Sequence, residues 1–187
     1  MMSGIEDMFD DSISDMDYNE IIEELGLDIR QLEKEMGQYK PKLDLNYVQT
    51  NDDIESPKYA YPTDSGFDLY STKQMVIGEF GRDLVPTGLH IDIPDGYEIQ
   101  VRSKSGLAIK EGLMVLNSPG TVDKGYTGEV KVIIFNTNPR PITINKGQKI
   151  AQAVLCPVVS GEWINLIRKN KIEDKDRADK GFGSTGI

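Results

Sequence analysis

Two turns in the sequence and its last eight residues combine the groups that bind a phosphate ester and activate water. In VDKGY, the carboxylate of Asp123 stands three residues before the ring of Tyr126, around a glycine. A carboxylate there could act as a base for water, and the ring could stack on a sugar. RSKSG and KGFGSTG supply backbone N–H groups, hydroxyls and cations, which phosphate oxygens need. These residues favour attack of water on a phosphate ester, with a divalent cation neutralising the phosphates.

Histidine chemistry is nearly excluded, because His90 is the single histidine, and Cys156 is the single cysteine. A zinc site built from cysteines and histidines is therefore ruled out. A Ser-His-Asp triad is disfavoured, since His90 falls in the alternating segment LHIDI and is expected on a strand face. Cys156 lies in the apolar run AVLCPVV and is predicted to be a small hydrophobic residue of the core.

From about residue 42 the sequence consists of short apolar segments separated by Gly, Pro, Asn and Asp. HIDI, EIQVRS and EVKV alternate between apolar and polar residues, the period of a strand with one buried face. No long helices alternate with these segments, which argues against a parallel α/β sheet. We predict an all-β fold, either a β-barrel or a β-sandwich. The expected strands lie in LDLNYVQT, GFDLYST, QMVIGEF, GRDLVPTGLHIDIP, GYEIQVRS, GEVKVIIFNT, PITINKGQKIAQAVLCPVV and WINLI.

Residues 1–41 are predicted to form an acidic, partly helical extension. Positions 1–40 carry twelve Asp/Glu and three Lys/Arg, against nineteen and eighteen in the rest of the chain. Residues 19–37 place their apolar side chains on one stripe of a helix, with Asp17 and Glu20 as a capping box and Gly37 as its end. Two interpretations stay open: the helix packs on its own body or on a neighbouring subunit, or it docks to a protein partner.

The balance of charge and the single cysteine limit the partners and the compartment. The net charge of −10 belongs mainly to the extension and leaves a nearly neutral body, so duplex nucleic acid is not an expected partner. No run approaches the roughly 18 apolar residues of a membrane span, and no secretory signal is recognised. One cysteine fits a reducing compartment, so we expect a cytoplasmic location, or the host cytoplasm for a virus-encoded protein.

Five stretches of the β region carry a family resemblance, in the order DSGFDLYS, VRSKSGLAIK, NSPGTVDKGYTGEV, KGQKIAQAVL and RADKGFGSTG. Taken together, they resemble the five ordered motifs of the homotrimeric dUTPases, the deoxyuridine triphosphate nucleotidohydrolases, from about Leu43 to Ile187. The resemblance implies a jelly-roll-like β-barrel over residues 42–170, a mobile lid at 171–187, and a homotrimer with active sites at its subunit interfaces. It also implies hydrolysis of dUTP to dUMP and pyrophosphate, with Mg²⁺ on the triphosphate.

The resemblance further implies a role for each matched position. Asp123 would activate the attacking water, Gln152 would hold that water or an α-phosphate oxygen, and Asp68 would brace the site and the hydrated metal. No side chain is expected to bind the metal directly. Tyr126 would lie against the deoxyribose and leave no room for a 2′-hydroxyl. The other implied substrate contacts are Lys104, Ser105 and Gly106 with Arg102 beside them, then Asn117, Gly120 and Val122 in a uracil-binding hairpin, then Arg177, Phe182, Gly183, Ser184 and Thr185 in the lid.

Three of the motifs depart from the family's usual pattern. In the first, Ser65 stands where alanine is common, which is a small change. Lys104 stands where an arginine is usual, which keeps the charge but loses the bidentate fork. Arg102 either compensates for this or serves elsewhere. Ala178 and Lys180 replace usual glycines, so the hinge of the lid is expected to be stiffer.

Two other functions compete with hydrolysis. A dCTP deaminase would share the fold, but that family relies on a glutamate whose position is held here by Ile134, and isoleucine cannot shuttle a proton. A nucleotide-gated interaction protein would use the dUTP site as a sensor and residues 1–40 to bind a partner. The second role is compatible with hydrolysis.

Overall fold

The structure is a computed structural model and describes residues 42–173 and residue 175. Short strands dominate this part of the chain, accompanied by one α-helix, α1 (Ser105–Glu111), and a 3-10 turn (Gly161–Trp163). The strands are β1 (Asn46–Gln49), β2 (Phe67–Tyr70), β3 (Met75–Ile77), β4 (Arg82–Pro86), β5 (Leu89–Asp92), β6 (Tyr97–Arg102), β7 (Leu113–Val115), β8 (Gly120–Val122), β9 (Lys131–Asn136), β10 (Ile142–Ile144) and β11 (Lys149–Pro157).

Among the described residues, all of the strand pairs are antiparallel and belong to four small sheets. The largest sheet has the order β2-β11-β6-β8, and a three-stranded sheet has the order β4-β9-β7. Two further pairs, β1-β5 and β10-β3, complete the set. β11 pairs on both sides, with β2 and with β6, so it fixes the positions of residues that lie far apart in the sequence.

The strands form because their apolar residues alternate with polar ones and face a common core. In β9, the residues Val132, Ile134 and Asn136 are buried, while those between them are more exposed. In β6, Ile99 and Val101 are buried and the residues beside them are not. Burial of such side chains supplies the main favourable free energy of folding, at about 25 cal/mol per Å² of apolar surface. The all-β prediction is confirmed.

Two local predictions are wrong. WINLI forms no strand: a 3-10 turn ends at Trp163, and residues 164–168 have no regular structure. The flanks of the expected hairpin Asn117–Asp123 do not pair with each other, since β7 pairs with β9 and β8 with β6.

The N-terminal helix predicted at residues 19–37 lies outside the described residues. The predicted domain boundaries at 41/42 and 170/171 stay predictions. Within residues 42–173 and 175, the structure contains no helix that is long and apolar enough to cross a membrane.

Candidate active site

Three of the predicted site residues form one row across the largest sheet. Gln152 on β11 lies directly opposite Asp68 on β2 and directly opposite Arg102 on β6. Residues paired in this way project from the same face of an antiparallel sheet. The core side of the same strands carries Leu69 and Ala151, both fully buried, so the row faces away from the core. Register therefore brings together three residues that are up to 84 positions apart in the sequence.

The Asp68 carboxylate is held by two lysines, one on each oxygen. Lys104 forms an ion pair with Oδ1, and Lys149 Nζ lies 2.7 Å from Oδ2. The Asp68 side chain is only 17% exposed. Burial by itself raises the pKa of Asp68, but the hydrogen bonds and positive charges of Lys104 and Lys149 outweigh it and hold the pKa below its ordinary value. Asp68 is therefore ionised and fixed in orientation.

Gln152 and Arg102 use their polar groups differently. Gln152 donates its amide to the carbonyl of Ser103 at 3.2 Å, which aims its side chain toward the loop before α1. The guanidinium of Arg102 donates to Gln100 Oε1 at 3.1 and 2.6 Å and to the sulfur of Cys156 at 3.4 Å. The hydrogen bonds of Arg102 therefore connect it to other side chains on the same sheet. Cys156 is half-buried beside this cation, so its prediction as a core residue is wrong.

Lys104, Ser105 and Gly106 form the entry to α1. Ser105 and Gly106 are exposed, and a side chain added at Gly106 would meet no other atom within 4 Å. The backbone there is open to a ligand. Lys104 is half-buried and reaches back to Asp68, so it joins this loop to the sheet row.

A second group of predicted residues lines a cleft of about 390 Å³ beside β8. Asn117, Val122, Asp123 and Tyr126 all contribute to its lining, together with Leu84, Thr121, Glu129, Val130, Lys131 and Ile133. The Asp123 residue is exposed. In the part of the chain that the structure describes, its carboxylate forms no ion pair or hydrogen bond. Its oxygens are free to accept a proton.

Backbone contacts and two glycines shape this cleft. The N–H of Tyr126 donates to the carbonyl of Asp123 at 2.9 Å and closes the turn between them. The Tyr126 hydroxyl donates to the carbonyl of Glu129 at 2.9 Å, and its ring lies over Gly128, where an added Cβ would come within 2.6 Å of it. At Gly120, an added Cβ would stand 2.9 Å from the amide nitrogen of Asn117. The two glycines leave room for the side chains that line the cleft.

The structure brings the predicted residues together as two groups rather than one. The lining of the cleft around Asp123 does not include Asp68, Lys104, Arg102 or Gln152. The lid residues Arg177, Phe182, Gly183, Ser184 and Thr185 lie outside the described residues. The part of the chain that is described contains no group of three or more His, Cys, Asp or Glu side chains arranged to hold a metal ion.

Lys149, which contacts Asp68 of this row, is a residue that the sequence did not indicate. Its contact with Asp68 depends on an irregularity in β11, which a sequence does not display. The only available signal was its position in KGQKIAQAVL, three residues before Gln152.

Comparison with known proteins identifies close relatives. The family model described as dUTPase matches residues 52–186. The chain is 44% identical over 139 residues to the deoxyuridine 5'-triphosphate nucleotidohydrolase of Ehrlichia canis (strain Jake), covering 73% of this chain and 90% of that protein. It is 44% identical over 137 residues to the enzyme of the same name from Hydrogenobaculum sp. (strain Y04AAS1), covering 73% and 93%.

Solved structures share the fold at lower sequence identity. The dUTPase of Staphylococcus bacteriophage 80alpha with dUPNHPP aligns with a TM-score of 0.69 at 24% identity, over 78% of this chain and 100% of that chain. The D95N mutant dUTPase of phage phi11, described as showing coordination of a structural Mg(II) ion, aligns with a TM-score of 0.62 at 22% identity, over 69% and 98%.

Proposed function

The chain belongs to the dUTPase family, and we propose that it hydrolyses dUTP to dUMP and pyrophosphate by attack of water on the α-phosphate. This would limit uracil in DNA and supply dUMP. The observation that carries the proposal is the cleft lined by Asn117, Asp123 and Tyr126, in which the Asp123 carboxylate has no partner among the described residues. A free carboxylate beside a sugar-stacking ring suits general-base activation of water.

Asp123 is the proposed base. It accepts a proton from water as the water oxygen forms a bond to the α-phosphorus. The bond between the α-phosphorus and the bridging oxygen to the β-phosphate breaks, and pyrophosphate leaves with that oxygen and its electron pair. Tyr126 lies against the deoxyribose and excludes a 2′-hydroxyl, and the backbone from Asn117 through β8, with Gly120 and Val122, pairs with uracil.

The sheet row is the proposed phosphate side of the site. Lys104, with the exposed Ser105 and Gly106, contacts the phosphates, and Gln152 holds the water or an α-phosphate oxygen. Asp68 fixes this group through its ion pairs. Arg102 was expected among the phosphate contacts, but its hydrogen bonds to Gln100 and Cys156 favour a role in bracing the sheet face.

Mg²⁺ is the proposed cofactor, carried by the substrate's triphosphate. The residues present fit a metal held in this way: Asp68 is an ionised carboxylate, but each of its oxygens already has a lysine partner, so contact through water suits it better than direct ligation. When bound, the cation neutralises the charge of the triphosphate.

A homotrimer with sites shared between subunits is the proposed assembly. Two features support it. The first is that the Asp68 row and the Asp123 cleft are separate groups, as expected if each active site takes its residues from more than one subunit. In addition, the segment after β11 leaves large apolar side chains in solvent, with Trp163 83%, Leu166 95% and Ile167 75% exposed. An apolar run of this kind usually marks an interaction surface. The lid residues Arg177, Phe182, Gly183, Ser184 and Thr185 then close over the triphosphate and uracil.

The alternatives carry less support. Ile134, at the position of the deaminase glutamate, is fully buried in β9, where a proton shuttle to substrate has no place. A sensor role, with residues 1–40 binding a protein partner, stays a hypothesis beside hydrolysis. A cytoplasmic location is also proposed, because the chain has one cysteine and no internal disulfide can form.

Release of pyrophosphate from dUTP, dCTP, dTTP and UTP, each with and without Mg²⁺, tests the function. We expect release from dUTP alone and a strong dependence on Mg²⁺. Ammonia from dCTP would instead indicate a deaminase. Tight binding of dUTP without turnover would favour the sensor.

A further inference from the structure

A β-bulge in β11 sets the position of Lys149. The pairs Gln152–Asp68 and Ala151–Leu69 follow regular antiparallel register, but Lys149 then pairs with Tyr70, so Ile150 is the extra residue. Ile150 and Ala151 are both buried in succession, at 1% and 0% exposure. The bulge turns Ile150 into the core and leaves Lys149 on the same face as Asp68. Bulges next to active sites often re-aim a side chain in this way.

The ammonium of Lys149 has partners on more than one side. It lies 2.7 Å from Asp68 Oδ2 and 5.7 Å from the centre of the Tyr70 ring, within the range of a cation–π contact. The Tyr70 hydroxyl in turn donates to Glu55 Oε2 at 2.8 Å, which fixes the ring. The hydrogen bond to Asp68 is also the main reason why the pKa of Lys149 is raised. Lys149 is therefore a fixed cation, although its side chain is 47% exposed.

The two lysines on Asp68 are not equivalent. Lys104 belongs to the exposed loop before α1, beside Ser105 and Gly106, where the phosphates are proposed to bind. Its ammonium cannot keep its full ion pair with Asp68 while it also binds the phosphates. Lys149 stands on the sheet itself and is anchored by Tyr70. If Lys104 turned toward the phosphates, Lys149 would be the cation left on Asp68.

We infer that Lys149 is a positioning residue, which holds the Asp68 carboxylate in its working orientation while Lys104 binds the substrate's phosphates. The inference rests on the proposed function, because it concerns the loaded site. It separates two lysines that touch the same carboxylate: Lys104 acts on the substrate, and Lys149 acts through Asp68.

Steady-state hydrolysis of dUTP by the full chain with Mg²⁺ tests this assignment. Lys149→Met should lower kcat by about 10- to 100-fold, because a displaced supporting group costs rate rather than affinity, and KM should change by less than about threefold. Lys149→Arg should restore most of kcat, since it keeps the charge. Lys149→Gln repeats the test with a polar side chain, and thermal unfolding of each variant checks that the fold is kept.

Lys146→Met is the matched control. Lys146 lies three residues earlier, pairs with the exposed Asp53, and has no contact with the row. Its replacement should leave kcat and KM at the values of the unmodified chain. Three results would overturn the inference: unchanged kcat in Lys149→Met, a rise in KM with kcat intact, or an arginine variant as slow as the methionine one. Absence of turnover in the unmodified chain would overturn the proposed function together with the inference. Failure of the inference alone would leave the unmodified chain active, so the two failures can be distinguished.

Discussion

Asp68 and Asp123, the two carboxylates proposed for the reaction, lie in opposite surroundings. Asp68 is largely buried on a sheet, and each of its oxygens has a lysine partner. Asp123 is exposed on a turn at the wall of an open cleft, and the described residues give its carboxylate no partner. A carboxylate with both oxygens occupied cannot readily accept a proton, whereas an unengaged one can. The difference supports the proposed roles, orientation for Asp68 and proton transfer for Asp123.

Replacing Asp123 by asparagine should give the largest effect. Asn keeps the size of the side chain but removes the base, and loss of a general base costs about 100- to 10,000-fold in kcat. Because Asp123 is exposed and has no partner among the described residues, thermal stability should not change. Steady-state kinetics and thermal unfolding check both parts. Activity within a fewfold of the unmodified chain would remove Asp123 from the proton-transfer role.

The same replacement at Asp68 should have a smaller effect on rate and a visible effect on stability. Asp68→Asn leaves Lys104 and Lys149 without their shared anion, so the phosphate side of the site loses its support. We expect a loss of about 10- to 100-fold in kcat, together with a lower melting temperature. If Asp68→Asn and Asp123→Asn were to give equal losses and equal stabilities, the distinction between the two carboxylates would fail.

The Asp68 ion pairs should make the stability of the fold depend on pH. The pKa of Asp68 is lower in the folded protein than its ordinary value of 3.8, because the two lysines outweigh the cost of burial. The ion pairs therefore stabilise the fold above that ordinary pKa, and their contribution disappears as the pH falls through the lower folded value. Since the lysines are partly exposed, the contribution should be about 1 kcal/mol or less. Thermal unfolding from pH 7 to pH 2 should show a smaller acid-induced loss in Asp68→Asn.

The smallest effect is expected in the wall of the Asp123 cleft. Gly120→Ala would put a methyl group 2.9 Å from the Asn117 amide, which must then move. We expect KM for dUTP to rise by less than about 10-fold, with little change in stability. Gly125→Ala is the control, because an added Cβ there would meet nothing within 4 Å. Equal KM values for the two variants would indicate that the position of Asn117 does not matter for binding.

The two regions also differ in how far the sequence predicts them. VDKGY shows Asp123 and Tyr126 side by side, because a turn brings near neighbours together. The row of Asp68, Gln152 and Arg102 depends on strand register, which local patterns do not specify, so only the family resemblance indicated it. Lys149 was missed because its position depends on a bulge.

WINLI and Cys156 show a second limit of prediction from the sequence, which concerns where apolar residues are buried. WINLI has the composition of a strand, but its side chains remain exposed and no partner strand pairs with it in the described residues. An apolar composition indicates that a segment has surface to bury, but it does not indicate which surface the segment packs against. Cys156 was predicted to lie in the core for the same reason, yet it lies on the outer face beside Arg102.

The most direct test of the central claim is hydrolysis of dUTP by the full chain in water labelled with ¹⁸O, followed by mass spectrometry of both products. We expect one labelled oxygen in dUMP and none in pyrophosphate, because Asp123 is proposed to activate a water that attacks the α-phosphorus. Label in pyrophosphate would mean attack at the β-phosphorus and would contradict the proposed arrangement of Asp123 and the phosphate row.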